Sequence, residues 1–65
     1  MGKLDLLKKL AEQGVAAAQN TLAMMYYSGQ GVPQDYEKAR KWYLKAAELG
    51  NTTAQDNLKR LYPNG

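Results

Sequence analysis

Six carboxylates, a single serine, a glycine-rich segment and six aromatic rings are the side chains in this 65-residue sequence whose types could do chemistry. General acid–base catalysis needs two ionisable groups in one pocket that separates their pKa values. Asp5, Glu12, Asp35, Glu37, Glu48 and Asp56 instead fall at expected helix caps or on solvated helix faces, and no two make an inward-facing i, i+4 pair. Ser28 has no base to activate it, because the sequence contains no histidine. It contains no cysteine either, which removes a thiol nucleophile, a disulfide framework and a thiolate zinc site. These residues predict a protein that is not an enzyme and needs no cofactor or metal.

Gly29-Gln30-Gly31 raises the question of a phosphate cradle. A dinucleotide fingerprint requires a preceding strand and a third glycine, and a P-loop requires a Gly-Lys-Ser/Thr ending. Pro33-Gln34-Asp35 follows here, so the glycines are expected to supply turn angles while Val32 packs inward. Tyr26, Tyr36, Trp42 and Tyr43, which could stack on bases or on a proline-rich peptide, are expected in the core together with Met25. Lys38, Arg40, Lys41 and Lys45 read as a solvated face, with Glu37 and Lys41 at the favourable i, i+4 spacing.

The elements that must position these groups follow from an internal repeat. At an offset of 36, nine of 29 residue pairs are identical, running from Lys9/Lys45 through Ala11/Ala47, Gly14/Gly50, Gln19/Gln55 and Leu22/Leu58 to Tyr26/Tyr62 and Gly29/Gly65. A fixed period of this length marks stacked structural units. Apolar residues recur at helical spacing within each unit. They predict helices over 3–13, 16–28, 35–49 and 51–62, with no strand. Gly14 and Gly50 stop the helices before them, Asp35 and Asn51 cap the helices after them, and the Ser28–Gln34 stretch is a loop. The whole chain, 1–65, then forms one domain: a half-unit helix, a full unit of two helices, and a final capping helix.

The run AAQNTLAMMYYSGQGVPQDYEKARKWYLKAAELGNTTAQDNL resembles a Sel1-like repeat, a relative of the tetratricopeptide repeats. The likeness is carried by Ala18-Gln19, Leu22, Tyr26, Gly29-x-Gly31-Val32, Asp35, Lys38-Ala39, Trp42-Tyr43 and Ala46-Ala47-Glu48-x-Gly50. It implies an all-α fold, four antiparallel helices forming a short right-handed α/α solenoid. Three positions depart from the pattern: Lys59 stands where Ala23 fits it, and Lys3 and Leu6 stand where the third helix has Ala39 and Trp42. They read as caps that seal both ends of the chain. Secreted, cysteine-rich relatives have been linked to β-lactam binding, and this chain lacks their cysteines.

The resemblance further implies a protein–protein interaction or adaptor module that takes a peptide or helix of a partner in a concave groove. Asn20, Met24, Tyr27, Asp56 and Arg60 are the expected contacts. Met24 and Tyr27 have a second reading, shelter against Leu7 or Leu10. Two other functions stay open: an engineered or minimised scaffold with no native ligand, and an RNA or anionic-membrane binder using the convex lysines. A net charge of +3 with basic residues spread along the chain gives no expectation of nucleic-acid binding. No apolar run is long enough to span a membrane and Met1–Leu6 lacks a signal-peptide core, so a soluble, cytoplasm-compatible protein is expected. Half-units at both ends allow a homo-oligomer by helix exchange.

Overall fold

The computed structural model describes residues 2–64, in which the elements are α1 (Lys3–Glu12), α2 (Ala16–Ser28), α3 (Tyr36–Glu48) and α4 (Thr52–Leu61). No strand occurs among the described residues. Each boundary has a local cause. Gly14 and Gly50 share a φ of 92°, the left-handed conformation that ends a helix without a Cβ penalty. Around them the same two bonds close the helix ends. Gly14 and Val15 donate to the Ala11 and Leu10 carbonyls, and Gly50 and Asn51 donate to those of Ala47 and Ala46. The Asp35 carboxylate accepts from the Lys38 amide at 3.0 Å, and the Asn51 side chain accepts from the Ala54 amide at 2.8 Å. Val15, which opens α2, has no side chain able to do this.

The long α2–α3 loop is tied back to the helix it leaves. The Asp35 amide donates to the Tyr26 carbonyl at 2.8 Å and the Gln34 side chain to that of Tyr27 at 2.9 Å. Val32 is buried, as its place after the glycines predicts.

Helices touch in chain order, α1 to α2, α2 to α3 and α3 to α4, and the α2–α3 interface is the most extensive. Alanines make close approach possible: Ala23 of α2, Ala39 and Ala46 of α3 and Ala54 of α4 are fully buried in one cluster around Tyr43. A second cluster, Ala11, Ala18 and Leu22, is covered by Leu4, Leu7 and Leu10 of α1, and Tyr26 and Trp42 pack against both clusters. The Cα atoms span 37 × 24 × 14 Å. A slab that thin leaves every helix a face toward solvent.

One expected core residue lies elsewhere. Tyr36 is 53% exposed, because it is the first residue of α3 and sits at the rim of the α2–α3 interface. Its ring lies 4.8 Å from that of Tyr27, and its carbonyl accepts from the Tyr62 hydroxyl at 2.7 Å. The expected Glu37–Lys41 ion pair does not form among the described residues. Lys38 and Lys45 place their ammonium groups 5.5 Å from the centre of the Tyr26 ring and 4.7 Å from that of Trp42.

Candidate functional site

A cleft of about 410 Å³ runs between α2 and α4, over Tyr43 in the middle of α3. Met24, Met25, Tyr27, Tyr43 and Leu61 give it an apolar lining, and Thr21, Ser28, Gln30, Asn57 and Arg60 contribute polar groups. The helical repeat dictates this arrangement. Thr21, Met24, Met25 and Ser28 recur at three- and four-residue spacing along α2, and Asn57, Arg60 and Leu61 do the same along α4.

Five residues were expected to make the contacts, and the structure separates them. Met24 is 50% exposed and lines the cleft, as do Tyr27 and Arg60. Asn20 is buried beneath it. Its amide nitrogen approaches the Met24 sulfur at 3.7 Å, and its side-chain carbonyl accepts from Asn57 at 3.2 Å. Asn20 therefore braces α2 against α4 and holds Met24. Asp56 is exposed and outside the cleft lining. The reason is its phase on the helix: Ala54, Asn57, Leu58 and Leu61 form the inward stripe of α4, and Asp56 lies about 100° round from Asn57. Tyr27 is half-buried, stacked near Tyr36 and edge-on to Tyr62 at 6.0 Å. It joins three elements as well as lining the cleft. Shelter of Met24 against α1 does not occur.

Asn57 is the residue the repeat gives no hint of, since its offset counterpart Thr21 is exposed. It is buried, donates to Asn20 and accepts from the Arg60 guanidinium. A signal existed in the helical wheel: a polar amide inside an apolar stripe must find a partner when buried. The resulting Asn20–Asn57–Arg60 chain fixes α4 against α2 and holds the guanidinium at the rim.

Not all of the polar lining is available to a ligand. The Thr21 hydroxyl donates to the Ala17 carbonyl at 2.9 Å and the Ser28 hydroxyl to the Met24 carbonyl at 3.0 Å, both within their own helix. Further donors in the lining are Gln30, the other guanidinium hydrogens of Arg60 and the hydroxyls of Tyr27 and Tyr43. No carboxylate lines the cleft. Burial pushes the Tyr43 hydroxyl above its ordinary pKa, with the neighbouring Tyr62 adding to the shift, so the cleft floor stays neutral at physiological pH. Among the described residues no cluster of acids could hold a metal ion, and no helix is long and apolar enough to cross a membrane.

Comparison with known proteins agrees with this architecture. The chain is 37% identical over 54 residues to the chitin synthase regulator SKT5 of Malassezia restricta, a match covering 83% of this chain and 4% of that protein. It is 33% identical over 62 residues to the ERAD-associated E3 ubiquitin-protein ligase component HRD3A of Arabidopsis thaliana, covering 94% of this chain and 9% of that protein. The chain thus spans less than a tenth of the length of these curated relatives. No solved structure gives a significant match. The Sel1 repeat model matches residues 16–51, from the first residue of α2 to the N-cap of α4. Such repeats are protein-interaction modules, and this chain belongs to the Sel1 repeat family.

Proposed function

We propose that the chain is an adaptor module whose α2–α4 cleft takes an extended segment or helix of a partner protein. The observation that carries this reading is the cleft's composition: a half-exposed methionine and flanking apolar groups beside an arginine held by Asn57, with no acid in the lining. An exposed, polarizable methionine suits an adaptable apolar contact. The guanidinium favours a carboxylate or a backbone carbonyl next to it. A partner with an apolar side chain followed by an acidic one fits both. Kinship with a named enzyme regulator and a named ligase component supports an accessory role over a catalytic one. The cleft is short, and interfaces well under about 1,200 Å² bind weakly and transiently.

Selecting peptides displayed in a random library against the chain tests the reading. Selected peptides are expected to lose at least about tenfold in affinity for Met24→Lys and for Arg60→Glu, while circular dichroism shows both variants folded. Peptides that bind both variants as tightly as the original chain overturn it. The convex lysines carry less weight as a nucleic-acid or lipid surface, because Lys38 and Lys45 already lie over aromatic rings.

A further inference from the structure

The most extensive interface in the molecule, α2 against α3, has each of its halves present a second time with no mate among the described residues. The 36-residue offset maps α2 onto α4 and α1 onto α3. Within the α2–α3 unit, Trp42 packs over Leu22 and its α1 neighbours, and Leu22 is left 1% exposed. Leu58, the counterpart of Leu22, is only half-buried, and with Leu44, Lys59 and Tyr62 it lines a cleft of about 390 Å³ on the outer side of α3 and α4. The counterpart of Trp42 on α1 is Leu6, which is 54% exposed. One end of the molecule has a cleft without the side chain that fills its equivalent. The other end has that side chain without a cleft.

We propose that the outer face of α4 docks α1 of a second copy of this chain, head to tail, with Leu6 of that copy entering the cleft beside Leu58. The second copy is the fitting occupant because, among the described residues, α1 is the only helix besides α3 that the offset places in this register. Two residues oppose the contact. Ala23 and Ala39 are fully buried together where α2 meets α3, and their counterparts are Lys59 on α4 and Lys3 on α1. Docking brings two ammonium groups to the place where the internal interface has two methyls. Like charges leaving water there repel strongly. A head-to-tail contact of this kind does not close on itself, so without restraint it propagates into open chains of copies. Lys3 and Lys59 keep the association weak.

Sedimentation velocity of the 65-residue chain over a range of concentrations reads this directly. Lys59→Glu and Lys3→Glu each replace the repulsion with an attraction and are expected to tighten self-association by roughly tenfold or more, giving concentration-dependent assemblies. The double variant K3E/K59E restores like charge and is expected to return to wild-type behaviour. Leu6→Asp added to Lys59→Glu is expected to dissolve the assemblies. All three positions are exposed, and circular dichroism confirms that each variant is folded before it is compared. Single charge reversals that sediment as wild type overturn the proposal, and so do Lys59→Glu assemblies that survive Leu6→Asp.

Discussion

At the α1–α2 corner Gln19 donates its amide to the Ala11 carbonyl at 2.9 Å, and at the α3–α4 corner Gln55 donates to the Ala47 carbonyl at 3.1 Å. The two bonds span the same eight residues and join the same positions of the repeat. Their surroundings differ. Gln19 is buried, and its side-chain carbonyl has no partner; Gln55 is exposed. Leu22 and Leu58, one turn further along, differ in the same way. Identical local chemistry therefore does not give identical stabilisation. Near the first corner the C-terminal end of α3, through Lys45, Glu48 and Leu49, flanks Gln19 and Gly14. No element follows α4 among the described residues to do the same for the second.

The comparison breaks if paired substitutions cost the same at both corners. Leu22→Ala removes a fully buried side chain and is expected to cost about 2–5 kcal/mol in urea unfolding, with Leu58→Ala costing clearly less. Equal losses would mean that the outer face of α4 is covered in solution. Gln19→Ala removes a buried, bonded amide and leaves the Ala11 carbonyl with the Gly14 amide alone, for an expected loss of about 1 kcal/mol, whereas Gln55→Ala stays within about 0.5 kcal/mol. The corners also differ in their N-caps. Asn51→Ala is expected to lose about 1 kcal/mol, and Val15→Asn, which transfers the cap to α2, to gain up to about that much.

The smallest difference appears only in alkali. Burial raises the hydroxyl pKa of Tyr43 and Tyr62, the second also through Tyr27, and both residues belong to the α3–α4 half. Their folded-state pKa values lie above the ordinary tyrosine value near 10. The unfolded chain therefore binds fewer protons once pH passes that value. The contribution to stability is complete below about pH 10 and is lost as pH rises toward the folded-state values. Thermal unfolding followed from pH 8 to 11 is expected to show a falling midpoint above about pH 10, and a shallower fall in Tyr43→Phe.

Most of the fold is legible in the residues. Asp35 and Asn51 cap, Gly14 and Gly50 stop, and the apolar spacing places all four helices within a residue or two of where they lie. The candidate site is less legible. Met24, Tyr27 and Arg60 reach one cleft, but Asn20 turns inward to Asn57 and Asp56 turns outward. The repeat itself misleads here, since it pairs Asn20 with Asp56 and Met24 with Arg60 as though α2 and α4 presented the same face to the groove. Each helix instead meets the other from its own side.

The sequence alone determined everything that depends on residues within a turn or two of one another: helix ends, caps, and the family resemblance those features carry. Tertiary structure decided the rest. Whether Gln19 is buried and Gln55 is not, or whether Asn57 and not Asp56 meets Asn20, depends on which neighbouring helix lies alongside and how far each helix is rotated about its axis. One residue changes that rotation by about 100°. Chain neighbours fix a bond's partner; only the packing of distant segments fixes what water can still reach.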